Sequence, residues 1–166
     1  MKLKQKLLPA TVIIALLLTA SCNFSKGIKK DLTTGLTTSY NGFALDDIYL
    51  ANEDEHKLKS NAVSLGSKIN IIATGVDNYT EKEGNVFPGC SILLTDKTGK
   101  EILNLADAFA DMKQGIVKEN SGTLRAQLNT GDPMLVGETY HLLVRFYDKN
   151  KKENEIVADA DIVMKE

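Results

Sequence analysis

The chain divides by its pattern of apolar positions into three regions. Leu7 to Ala20 is an almost unbroken apolar run behind three lysines in "MKLKQK". Fourteen residues of helix cover about 21 Å, short of the ~30 Å hydrocarbon core, so the run predicts a secretory signal and not a membrane span. Residues 22–40, "CNFSKGIKKDLTTGLTTSY", lose all sustained periodicity. From Tyr40 onward the chain alternates with period two between turn residues, and this predicts an all-β domain over 41–166. "FALDDIYLA" (43–51), "AVSLG" (62–66) and "SKINIIATGV" (67–76) are candidate strands, the last with Ile69, Ile71 and Ala73 on one face. "CSILLTD" (90–96) is continuously apolar, which predicts a strand covered on both faces. "DKTGK" (96–100) reads as a tight turn. Leu105, Phe109 and Met112 fall at i, i+4 and i+7, predicting one short helix over 104–112 with Asp107 and Asp111 facing water.

The last third carries the clearest alternation. Tyr140, Leu142, Val144 and Phe146 form one row, with His141, Leu143, Arg145 and Tyr147 on the other side. Ile156, Ala158, Ala160, Ile162 and Met164 form a second row, with Asp159 and Asp161 outward. The polar segment 148–155 predicts a loop joining the two as a hairpin, with Arg145 across from Asp159 or Asp161. Just upstream, Leu135-Val-Gly137-Glu-Thr-Tyr140 resembles the tyrosine corner of immunoglobulin-like and fibronectin-type domains. The resemblance implies an antiparallel β-sandwich of about seven to nine strands. It also implies that the Tyr140 hydroxyl bonds back to the upstream backbone, with Gly137 in the arch. The chain lacks the core Trp and Cys pair of true immunoglobulin domains.

The boundary at Cys22 changes the picture of location. "LTAS" before Cys22 resembles the lipobox of bacterial lipoproteins, although Thr19 stands where that family prefers Leu. The resemblance implies removal of residues 1–21 and acylation of Cys22, palmitate being a typical chain. Two or three acyl chains hold firmly where one alone is marginal. Residues 22–40 would then be a flexible tether of roughly 23 to 25 Å. Asn23 is not the Asp that retains enterobacterial lipoproteins in the inner membrane, and no acidic run follows Cys22. Both features lean towards the periplasmic face of the outer membrane.

Composition removes several functions. The full chain carries 20 basic and 22 acidic groups, net −2; without residues 1–21 it carries 17 against 22, net −5. A mildly acidic domain with no basic stripe is a poor ligand for nucleic acid. With Cys22 acylated, Cys90 has no partner for a disulfide and reads as a buried inert thiol. No Gly-x-Ser-x-Gly elbow, phosphate loop or repeat is present. Glu53, Asp54, Glu55 and His56 crowd one loop, but without calcium-loop spacing or a second His they read as a polar surface. Asp159 and Asp161 read as a solvated strand face. No metal and no cofactor is expected.

Loop aromatics are the remaining candidates. Asn78, Tyr79 and Tyr147 would form a rim able to hold a glycan or small solute. The sequence therefore predicts no enzyme but a non-catalytic, lipid-anchored interaction module that docks another envelope protein. The alternative is a ligand-binding lipoprotein, with a deep cleft lined by Tyr79 or Tyr147 as its mark.

Overall fold

The two apolar rows of the last third each need a covering surface; pairing sets them side by side on one face, and a second sheet covers it. The computed structural model describes residues 25 to 166. In it β11 (Thr139–Asp148) and β12 (Lys151–Lys165) form an antiparallel hairpin, and every residue of the two predicted rows is buried. The hairpin lies within a seven-stranded sheet. Its order is β1 (Lys26–Lys30), β2 (Thr37–Asn41), β12, β11, β7 (Pro88–Asp96) and β8 (Glu101–Leu105), with β4 (Ala62–Ser64) running parallel to the end of β12.

A second sheet, ordered β10 (Thr123–Asn129), β5 (Lys68–Thr74) and β3 (Asp47–Ala51), packs against the inner face. Ile69, Ile71, Ala73, Leu124, Ala126 and Leu128 supply its half of the core. Two-residue strands β6 (Asn85–Val86) and β9 (Ile116–Val117) pair beside it. The molecule is an all-β sandwich.

An arch precedes β11. Tyr140 is buried beneath it, and its hydroxyl oxygen accepts the Leu135 N–H at 2.9 Å. Gly137 adopts φ +84°, a left-handed conformation that favours glycine, and its N–H donates to the Met164 carbonyl at 2.8 Å. The arch is thus fixed to both strands of the central hairpin.

Several expectations need correction. Among the described residues there are twelve strands, not seven to nine, because β6 and β9 are minimal and because β1 and β2 arise within the expected tether. Residues from Lys26 onward are not a coil. β2 pairs with β12 from Thr37↔Asp159 to Asn41↔Glu155, and Thr34, Leu36 and Thr38 are buried. Threonine has strong β propensity yet no hydropathy signal, so period two was hidden in "TTSY".

No helix forms over 104–112. β8 runs to Leu105, and the Asp107 carboxylate accepts the Phe109 N–H at 2.9 Å, a local bond that competes with helical pairing. Successive turns follow, closed by Ala110 N–H to Asp107 O and Met112 N–H to Phe109 O. Phe109 is buried, whereas Leu105 and Met112 are exposed. Within β7 only the Cys90, Ile92 and Leu94 face is fully covered; Leu93 is half-buried beside Leu143 on the outer face. The 148–155 loop is shorter than expected, since β12 already begins at Lys151. That register sets Arg145 opposite Val157, and its guanidinium pairs with Glu155 at 2.5 Å instead of with Asp159 or Asp161.

Candidate functional site

The side of the sandwich where β7 approaches β10 is closed by a chain segment, not by a strand. After β8, residues 106–115 cross from the large sheet towards the small one. Asp107 anchors the crossing. Its Oδ1 accepts the N–H groups of Cys90 (3.1 Å) and Phe109 (2.9 Å), and its Oδ2 meets the Lys149 ammonium at 2.8 Å. Lys149 also donates to the Phe109 carbonyl at 2.8 Å. Burial pushes the Asp107 carboxyl up, but Lys149 and the two N–H donors outweigh it and hold the group below the ordinary carboxylate range. The phenyl ring of Phe109 is thereby set against Phe146, centroids 6.2 Å apart.

Beside this clamp opens a groove of about 470 Å³, lined by Pro88, Phe109, Met112, Ile116, Val117 and Leu124 among others. Met112 and Val117 are exposed at 39% and 47%. The groove borders β10, whose sole strand partner among the described residues is β5. Among the described residues no backbone group hydrogen-bonds to the far edge of β10, although the 106–115 segment crosses beside it, and the outward side chains of the strand include Arg125 and Gln127. The other edge of this sheet is partly occupied, since Leu58 N–H donates to Leu50 O and Ala51 bridges to Lys57.

The predicted rim does not assemble. Tyr79 is only 7% exposed, edge-on to Phe43 at 4.8 Å, with its hydroxyl donating to the Ser121 carbonyl at 3.3 Å. Burial, then the nearby Asp148 and Asp77, raises its phenol well above the usual value. It is a core residue and cannot form a lip. Asn78 stays exposed at φ +71°, its carbonyl taken by Asn154 Nδ2 at 2.9 Å. Tyr147 lies on the outer face of the large sheet, with the Arg145 guanidinium 4.8 Å from its ring centroid.

Cys90 is fully buried, and desolvation followed by Asp107 pushes its thiol up to about 12. At neutral pH it is protonated and out of reach. The acidic loop folds over the outer face of the small sheet, where two of its carboxylates are paired. Glu53 pairs with Lys68, and Glu55 takes Arg125 in two contacts at 2.7 and 3.3 Å. The His56 main-chain N–H donates to Asn52 Oδ1 at 2.9 Å. Asp161 meets His141 at 3.1 Å, both exposed. Among the described residues no group of three or more His, Cys, Asp or Glu is arranged to hold a metal ion. No helix among them is long and apolar enough to cross a membrane.

Cys22 lies outside the described residues. The groove itself was missed in the sequence, because Pro88, Phe109, Val117 and Leu124 come from four separate segments. The one local signal was the apolar Phe109 and Met112 in a stretch misread as helix. Neither a protein-family model nor a curated protein sequence matches this chain.

Proposed function

We propose that this chain is a lipid-anchored envelope protein, held by acylated Cys22 at the periplasmic face of the outer membrane, whose sandwich is a non-catalytic protein-interaction module. One observation carries the reading: the open edge of β10 lies alongside an apolar groove with Met112 and Val117 exposed. An unpaired strand offers a ladder of N–H and C=O groups to an incoming extended segment, and an adjoining groove takes its alternate side chains. Arg125 and Gln127 on the same strand disfavour indiscriminate pairing. The buried Cys90 and Tyr79 supply no reactive group to this surface.

A photo-crosslinking residue at Gln127 in the acylated protein, followed by mass spectrometry of solubilised envelopes, tests the proposal. The expected result is one stoichiometric adduct that disappears with Met112→Glu or Val117→Lys. Absence of any adduct, together with a positive glycan array, would move the reading to a ligand-binding lipoprotein.

A further inference from the structure

The β1–β2 hairpin presents a face that the sandwich does not use. Leu32 and Ile28 are the most exposed large hydrophobic side chains among the described residues, at 87% and 79%. Lys26 and Lys30 flank Ile28 two residues away on either side, so they share its face of β1. Ser39 stands opposite Ile28, Asn41 opposite Lys26 and Thr37 opposite Lys30. Glu155 borders the same shallow trough, but its carboxylate is held by Arg145.

The hairpin turn is closed by its own hydrogen bonds. Asp31 Oδ1 accepts the Thr33 N–H at 2.8 Å, and Oδ2 accepts the Thr34 hydroxyl at 2.7 Å. The Gly35 N–H closes the turn onto the Asp31 carbonyl at 2.8 Å. Thr34 and Leu36 are both 2% exposed, so Leu32 is held out from a turn rooted in the core. On the opposite face of β1, Lys29 donates to the carbonyls of Leu45 and Asp46 and braces the strand to the body.

Counted along the chain, charge is segregated in the same sense, although Lys29 turns to the body and Asp159, across from Thr37 on β12, shares the outer face with Lys30. Residues 26 to 41 hold three lysines and one aspartate, net +2; residues 42 to 166 hold 14 basic and 21 acidic groups, net −7. Near an anionic surface such a distribution turns the hairpin inward and the rest outward. Chain length adds a constraint. Only three residues separate Cys22 from Lys26, and four Cα steps reach at most ~14 Å. With acyl chains on Cys22, β1 begins at the margin of the headgroup layer. The long coil that the sequence suggested would have held it clear.

We infer that the outer face of the β1–β2 hairpin lies on the anionic leaflet that holds the anchor, with Ile28 and Leu32 in the interface and Lys26 and Lys30 among the lipid phosphates. The inference rests on acylation at Cys22 and deepens the proposed function. It makes the anchor an orienting device. β3 adjoins the hairpin side, so the open edge of β10, at the other side of the small sheet, is turned away from the bilayer and towards a partner.

The test uses the acylated full-length chain in protein-free vesicles of phosphatidylethanolamine and phosphatidylglycerol. Ile28→Cys, Leu32→Cys and Gln127→Cys are spin-labelled one at a time; Cys90, fully buried, stays unlabelled. Oxygen and nickel-chelate collisions should place positions 28 and 32 in the interface, several-fold less accessible to nickel than position 127. Equal accessibility at all three positions would overturn the inference and leave the anchor intact. Shielding seen in native envelopes but not in these vesicles would assign the hairpin to a protein partner and overturn it as well. Intact mass without acyl groups on Cys22, or Cys22→Ser protein that still fractionates with membranes, would instead refute the anchor on which both rest.

Discussion

Removing the Asp107 carboxylate is the most direct way to probe how the groove is held. The side chain is 23% exposed, accepts two backbone N–H groups and pairs with Lys149, itself 26% exposed. Hydrogen bonds to a charged group are worth about 1.5–3 kcal/mol net, while a partly exposed ion pair adds a fraction of a kcal/mol. Water entering the vacated site satisfies part of what is lost. Asp107→Ala is therefore expected to cost about 2–3 kcal/mol, or about 6–9 °C in Tm for a domain of this size. Asp107→Asn keeps an oxygen for the Cys90 and Phe109 N–H groups and should cost about 1 kcal/mol.

The pH dependence supplies the sharper check. The folded carboxyl is held below its ordinary range, so its stabilisation is fully present above the unfolded pKa of ~3.9 and is lost as pH falls through the lower folded value. The gap between the native chain and Asp107→Asn should be constant from pH 5 to 7. It should then close progressively below pH ~4. Urea unfolding followed by far-UV circular dichroism at stepped pH reads both quantities; the chain has no Trp for fluorescence. A cost under about 0.5 kcal/mol for Asp107→Ala, together with a pH-independent gap for Asp107→Asn, would refute the clamp.

Other outcomes follow from single contacts. Tyr140→Phe deletes the acceptor of the Leu135 N–H and should lower stability by about 1 kcal/mol in the same urea titration. Gly42→Ala places a Cβ 2.1 Å from Asn154 Oδ1 at φ +76°, and Asn154 is buried and bonded to the Asn78 carbonyl. A loss of about 2–3 kcal/mol is expected, measured as a Tm shift. Cys90, with its thiol pushed up to about 12, should resist iodoacetamide at pH 8 in the folded chain and react promptly in urea. Modification of the native protein at the unfolded rate would contradict its burial.

Much of the fold was legible along the chain, and the legible parts share a property. The rows Tyr140 to Phe146 and Ile156 to Met164 alternate within one segment, so burying one face follows from backbone geometry alone. The arch is local too, since Leu135, Gly137 and Tyr140 span six residues. Local competition could mislead, as at 104–112, where helical spacing of Leu105, Phe109 and Met112 was overruled by the Asp107 side chain bonding its own backbone.

What the chain determined by itself, then, was the β class, the central hairpin and the arch, because each is a preference of neighbouring residues. Tertiary structure alone decided that Lys26 to Asn41 is a docked hairpin, that Tyr79 is core, that Arg145 finds Glu155, and that four distant segments frame a groove beside β10. Those outcomes depend on which surface each segment meets. The strand that orders Thr37 to Asn41 begins 110 residues later, at Lys151, so no local pattern could have announced it.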